Sequence, residues 1–323
     1  MTPLAAAAIA LAVAAAAGFG ARWLGLATGA LDFPTGRLKP HPQPVSYLGG
    51  LAVAAGIAAG LAARAWPLPW FLTVALFGIA LVGLADDVLG FPPVVRLGAQ
   101  VALGALVAAN GLDLPPLGAV LGWLAAMVFF AGAVNAVNMV DGMDGLAGSA
   151  AALSGIGLAV VAALDDRGTL LPLLLAGASL GFLFHNRPPA RLFLGNSGSY
   201  LAGATLAVAV LLLAGGPALM VGAGTCLGLF ALDLLLSVAR RVAGRSALLE
   251  PDREHLYDQL LGRGFSVVEC LVICAVVHAL LVGAGVGISR MPSGLAVASA
   301  AGLWVVALGA LIGLGFVGRR ARY

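Results

Sequence analysis

Long runs of Ala, Leu, Val and Gly alternate with short polar or Pro/Gly connections along almost the whole chain. The charge-poor stretches fall at 3–28, 46–64, 69–85, 97–112, 117–134, 146–164, 169–185, 198–214, 217–239, 266–288 and 293–317. In a bilayer an apolar segment must satisfy its own backbone hydrogen bonds, so it forms a helix, and roughly 20 residues cross the hydrocarbon core. The pattern predicts an all-α, polytopic integral membrane protein with about 11 transmembrane helices. The run at 97–112 is short and Gly-rich, and 169–214 can be divided in more than one way, so the count holds to within one.

Composition narrows this picture. The 323 residues are 61% hydrophobic and only 10% charged, whereas a water-soluble domain carries roughly a quarter charged residues. About 220 residues in spans leave roughly 100 for loops. Residues 1–323 therefore read as a single membrane-embedded domain, with 240–265 its longest loop. The 46 glycines follow no strict period and lie in apolar runs, which excludes collagen and disorder. Cys226, Cys270 and Cys274 are odd in number and sit in apolar stretches, so they read as small buried hydrophobes rather than a disulfide framework. The first run lacks a basic leader and is too long for a typical signal peptide.

A net charge of +3 would suggest nucleic acid in a soluble protein, but placement decides otherwise. Alternating the loops from the first puts thirteen Lys and Arg on one side and three, Arg64, Arg167 and Arg290, on the other, with Arg22 inside the first span. Basic residues stay on the cytoplasmic side, so the N-terminus is expected outside and the C-terminus in the cytoplasm, with no nucleic acid as partner. The same alternation puts Asp86, Asp87, Asp141, Asp144, Asp252, Glu254 and Asp258 on the basic face, together with most of the Asn and His. Polar groups at a bilayer edge are costly unless satisfied, so their concentration on one face predicts a shared hydrated site.

Four clusters carry the candidate chemistry. Asp86-Asp87 ends a span; such a pair attracts a cation or serves as a base, although helix-end solvation also accounts for one. Asn135, Asn138, Asp141 and Asp144 recur every three residues, which on a helical path keeps them to one side. Amides and carboxylates so arranged suit a nucleoside and a divalent ion, or else a calcium-like or structural Asx turn. Arg187 and Arg191 offer positive charge to phosphates ahead of Gly195–Ser199, which has the makings of an anion-cradling turn; positive-inside anchoring is the rival reading. In the longest loop Arg253, His255 and Asp258 are available for phosphate contact or proton transfer, or form a solvated helix.

Taken in order, these motifs resemble the polyprenyl-phosphate N-acetylhexosamine-1-phosphate transferase family, from about Asp32 to Ser266. Pro34, Arg37, His41, Pro44, Gly49 and Gly50 look like its early loop, and Asp86-Asp87 with Arg96 and Gln100 like its paired aspartates. Its N-x-x-N-x-x-D-G-x-D-G-L signature stands unchanged at Asn135 to Leu146. Phe184, Asn186, Pro189, Ala190, Phe193, Gly195, Gly198 and Ser199 resemble its next segment. Asp233, Arg240, Arg241, Asp252, Arg253 and His255 resemble the loop that follows. Two departures stand out: Asn196 occupies the place of a metal-binding Asp, and Tyr257-Asp258 replace the end of a His cluster.

The resemblance implies transfer of a sugar-1-phosphate from a UDP-sugar to polyprenyl phosphate, with release of UMP, on the cytoplasmic face of a bacterial inner membrane. It implies Mg²⁺, with Mn²⁺ as a substitute, held by Asp141 and Asn196. Asp86, Asp87 and His255 would be catalytic. Asn138, Asp141, Asp144, Phe193 and Arg253 would bind substrate, Phe193 by stacking on uracil. The UDP-sugar, polyprenyl phosphate and membrane lipids are the expected partners, and a homodimer is an open option. A relative that binds lipid or nucleotide without turnover remains an alternative because of Asn196. A secondary transporter would need midplane polar residues and an internal repeat; the spans around the clusters are mostly bare of charge, Asp233 being the clear exception, and no two halves repeat their motifs.

Overall fold

The computed structural model describes residues 1–33, 43–244 and 254–317. Helix α1 (Pro3–Thr28) leads into a small antiparallel pairing of β1 (Leu31–Asp32) with β2 (Val45–Ser46). Then follow α2 (Gly49–Ala62), α3 (Trp70–Leu89), α4 (Pro93–Ala109), α5 (Ala119–Val140), α6 (Leu146–Leu164) and α7 (Leu170–Asn186). The chain continues through α8 (Gly195–Leu213), α9 (Pro217–Thr225), α10 (Gly228–Gly244), the short α11 (Leu256–Gly262), α12 (Val267–Ser289) and α13 (Ser293–Gly313). Apart from the two-residue strands the described fold is all-α, as the hydrophobic pattern predicts. Seven helices, α1, α3, α5, α6, α8, α12 and α13, are long and apolar enough to cross a membrane, and the α9–α10 pair makes an eighth if counted as one bent span. The protein is thus a multi-pass membrane protein. The shorter apolar helices α2, α4 and α7 coincide with three further expected spans.

Helix α8 is the central post. Nearly every side chain from Ser197 to Leu213 is buried, and α3, α5 and α2 pack around it. At the periphery α13 buries only Ala296 and Ala300. Helix α1 packs on α2 and α7 through Ala6, Ala10, Ala14, Gly18, Ala21 and Gly25. Their spacing of three or four residues places small side chains on one stripe, where backbones approach closely without a hydrophobic driving force.

Four boundaries differ from the sequence expectation. The run at 117–134 continues as helix to Val140, so Asn135 and Asn138 lie on α5 rather than beyond it. The run at 198–214 begins earlier, at Gly195. The loop expected at 240–265 is largely helical where described: α10 extends to Gly244 and α11 fills Leu256–Gly262. The run at 217–239 is not one straight helix, because α9 and α10 meet at 81°.

His278 of α12 accounts for that bend. Its Nδ1 accepts the Leu229 N–H (3.0 Å), so Nε2 carries the proton and faces the Ala150 carbonyl and Ser154 Oγ, each at 3.0 Å. Ser154 Oγ in turn donates to the Cys226 carbonyl (2.8 Å). Groups freed by breaking a helix in an apolar interior must find partners, and a histidine and a serine supply them here. Replacing His278 with leucine should lower stability by about 1–3 kcal/mol, read by thermal unfolding in detergent; an unchanged midpoint would show that the bend holds without it.

Candidate functional site

Helices α3 and α8 touch at Gly83, where an added Cβ would lie 2.5 Å from the Asn196 carbonyl oxygen. This close approach carries the end of α3 onto the first turn of α8. Asp87 Oδ1 accepts the Asn196 N–H (3.0 Å) and Oδ2 the Ser197 N–H (3.2 Å). These are donors that α8 cannot satisfy internally, and they lie at its positive end.

Asp86 is 5% exposed and is engaged by the protein itself. It accepts from the Phe91 N–H (2.9 Å), Asn196 Nδ2 (2.9 Å) and the Tyr200 hydroxyl (2.9 Å), and Arg96 stands 3.5 Å away. Asn196 is therefore a bridge: Nδ2 donates to Asp86, while Oδ1 accepts from Asn138 Nδ2 (2.8 Å). Asn138 also donates to Ser199 Oγ (3.1 Å). The amide at 196 can both donate and accept, which a carboxylate cannot.

The four polar groups spaced by three do not share a face. Three residues of α-helix turn through about 300°, so each group steps about 60° from the last. Asn135 faces α4 and donates to Gln100 Oε1, whereas Asn138 faces α8. Asp141 sits just past α5, half-buried, where the surrounding protein and then the nearby Asp87 charge hold its carboxyl well above the usual carboxylate range. Asp144 accepts the Ala190 N–H (2.8 Å), and Asn186 accepts the Gly145 N–H (2.9 Å) while donating to the Leu192 carbonyl (2.9 Å). The segment after α7 is thus stapled to the signature turn. Phe193 is half-buried on that segment, its N–H donating to the Ser46 carbonyl and its own carbonyl accepting the Gly49 N–H.

A second carboxylate element lies against the same turn. Buried Asp233 of α10 holds His255 Nδ1 at 2.7 Å and accepts the Leu256 N–H at 2.7 Å. The His255 ring stacks on Tyr257, with centroids 5.7 Å apart. Tyr257 presses its hydroxyl against Gly142, where any Cβ would overlap it. Tyr257 and Asp233 also line a small hollow with Val140 and Leu146. A carboxylate on Nδ1 fixes the ring orientation and sets which nitrogen carries the proton.

The structure therefore brings Asp86, Asp87, Asn138, Asp141 and Asn196 together. Asp144 and Phe193 lie on the adjoining stapled turn, and His255 reaches it through Tyr257. Arg253, like Arg37 and His41, lies outside the described residues. Among the described residues no three His, Cys, Asp or Glu side chains form a ready-made metal cage. Sequence reasoning did not single out Tyr200, nor the pairing of Asp233 with His255. Both depend on contacts between helices distant in sequence, and local spacing carries no signal for them.

Asp87 and Asp141 are hard oxygen donors close enough to repel, the setting a divalent cation relieves. Mg²⁺ is commonly held by one or two carboxylates plus substrate phosphates, without a full protein cage. The residues fit such an ion.

Comparison with known proteins identifies the family. The family model described as Glycosyl transferase family 4 matches residues 69–214. A Bacillus subtilis protein named "Probable undecaprenyl-phosphate N-acetylglucosaminyl 1-phosphate transferase" is 30% identical over 256 residues, covering 74% of this chain and 71% of its own. A Thermotoga maritima undecaprenyl-phosphate alpha-N-acetylglucosaminyl 1-phosphate transferase is 34% identical over 234 residues, 70% of this chain and 71% of its own. A Synechococcus phospho-N-acetylmuramoyl-pentapeptide-transferase is 34% identical over 195 residues, 54% of this chain and 55% of its own. The fold, the acid and amide cluster and these relatives together place the chain in the polyprenyl-phosphate N-acetylhexosamine-1-phosphate transferase family.

Proposed function

We propose that the chain transfers an N-acetylhexosamine-1-phosphate from a UDP-sugar to polyprenyl phosphate, releasing UMP and starting a cell-envelope glycan. The observation that carries this reading is Asp87 at the positive end of α8, beside the Asn138–Asn196 bridge, with Asp141 near enough to feel its charge. Two polyanions must meet in this reaction, so the site has to offset both their repulsion and the charge developing on the transferred phosphoryl group. Mg²⁺, or Mn²⁺ in its place, would supply that positive charge when bound, and Asp141, Asp87 and Asn196 are the residues that would hold it.

The chain's own groups then divide the work. Asp86 holds Asn196 and the start of α8 in place and does not itself face the reacting atoms. Asn138 and Asp144 position the nucleotide, and Phe193 offers a ring for the base. The Asp233-held imidazole of His255, with Arg253, contacts phosphate. The acceptor phosphate is largely ionised near pH 7, so aligning it matters more than removing its proton.

Eleven passes, with the N-terminus outside and the C-terminus in the cytoplasm, fit the arrangement of α1 to α13. Arg167 and Arg290 reach the Leu212 and Leu164 carbonyls, at the ends of α8 and α6 opposite Asn196 and Asp141, which supports the division of basic loops read from the sequence. On that topology the site faces the cytoplasm from a bacterial inner membrane.

The test is purified protein in detergent with Mg²⁺, polyprenyl phosphate and a panel of UDP-sugars. UMP release that requires the lipid supports the assignment. Nucleotide binding without release would identify a non-catalytic relative instead, and chelation of divalent ions should abolish release.

Asp141 adds a pH dependence. Its carboxyl pKa is raised in the metal-free protein, so a proton competes with the cation and is displaced when the cation binds. Mn²⁺ affinity, followed by electron paramagnetic resonance, should rise with pH, because the raised Asp141 carboxyl loses its proton at a higher pH than an ordinary carboxylate. A flat profile in the wild type would contradict the ligand role of Asp141.

A further inference from the structure

A hollow of about 390 Å³ lies between the C-terminal part of α1 and the end of α7, and the acid and amide cluster contributes no residue to its lining. Three arginines, Arg22, Arg187 and Arg191, converge on it, with Phe19, Phe184 and His185 as walls. None of the three guanidinium groups meets a carboxylate among the described residues. Arg22 belongs to an apolar span, six residues before its end, where a charge without a partner is costly. Loop solvation does not account for its position.

The hollow is built rather than splayed. Arg187 lies 5.5 Å from the Phe184 ring centroid, and the backbone N–H groups of Arg187 and Arg191 donate to the Leu183 and His185 carbonyls. His185 donates its ring N–H to the Ala15 carbonyl (2.8 Å) and meets Phe19 edge to face, which ties the two helices together. Phe19, Trp23 and Phe184 are 60%, 69% and 55% exposed on the outer surface of α1 and α7. Exposed aromatics beside arginines at helix ends mark a membrane–water boundary, so a ligand can arrive from the bilayer.

We propose that Arg22, Arg187 and Arg191 bind the phosphodiester headgroup of an anionic phospholipid. Guanidinium forks match phosphate oxygens, and the volume is of the order that encloses a small ligand. Among the described residues no acid lines the hollow to hold a metal or to activate a nucleophile, which separates its occupant from the reacting acceptor. The site also touches catalysis indirectly, because Ala190, between two of the arginines, donates its N–H to Asp144.

Native mass spectrometry of the full chain in detergent, with phosphatidylglycerol, phosphatidylcholine, polyprenyl phosphate and inorganic phosphate as probes, tests this. One phosphatidylglycerol should be retained in preference to phosphatidylcholine. Each of Arg22→Gln, Arg187→Gln and Arg191→Gln should weaken that retention by roughly fivefold, and the triple variant should abolish the preference. Equal retention of the two phospholipids by the wild type, or an unchanged preference in the triple variant, would overturn the proposal. So would displacement of phosphatidylglycerol by millimolar inorganic phosphate, which would indicate a free-anion site, or by equimolar polyprenyl phosphate, which would indicate the acceptor. These readouts involve no turnover, so their failure is distinct from failure of the transferase reading.

Discussion

Exchange of Asp87 for asparagine should lower lipid-dependent UMP release by roughly 10²–10³-fold, the loss that accompanies removal of one preorganised charge-stabilising group. The carboxylate ties two N–H groups in the first turn of α8, those of Asn196 and Ser197, and lies near Asp141. An asparagine retains the shape but turns one oxygen into a donor, which then opposes a backbone N–H, and it removes one of two charges available to a cation. Asp86→Asn should also lose turnover, but by another route. Asp86 is buried among the Phe91 N–H, Asn196, Tyr200 and Arg96, so its replacement should lower the unfolding temperature as well as the rate. Rates paired with thermal unfolding separate the two. Unchanged rates in both variants would remove the roles assigned to them.

Asn196→Asp is the second large effect, a loss of stability without metal that Mg²⁺ should largely offset. In the metal-free protein a carboxylate at this position loses the donor to Asp86 and places like charges about 2.9 Å apart, the distance now spanned by the Nδ2 bond. Breaking this part-buried bridge should cost about 1–3 kcal/mol. Saturating Mg²⁺ should return most of that stability, because the added charge strengthens cation binding, so the Mg²⁺-induced rise in unfolding temperature should exceed that of the wild type. An equal rise in the two proteins would show that residue 196 lies away from the metal.

These two residues also show how the sequence relates to the structure. The helical class was legible because apolar runs in a bilayer have one way to satisfy their backbones. The acids and amides were legible as a group because so few polar residues interrupt the chain. Their pairings were not. Asn135 and Asn138 are three residues apart yet face α4 and α8, because the turn of the helix separates them. Asp86 and Asp87 are adjacent yet do different things: the first is enclosed by side chains from α4 and α8, and the second caps α8. Residue 196 reads from sequence as a weakened metal ligand, whereas the structure shows it bridging Asn138 and Asp86. The α9–α10 bend was hidden for the same reason, since His278, 49 residues beyond Leu229, supplies its partner.

The account rests on a diphosphate being held between the end of α3, the turn after α5 and the start of α8. A cryo-electron microscopy map of the protein with UDP-N-acetylglucosamine and Mg²⁺ tests this most directly. It should show diphosphate and metal density bounded by Asp87, Asp141 and the first turn of α8. Nucleotide density elsewhere on the protein, with the Asp87 and Asp141 carboxylates untouched, would contradict it.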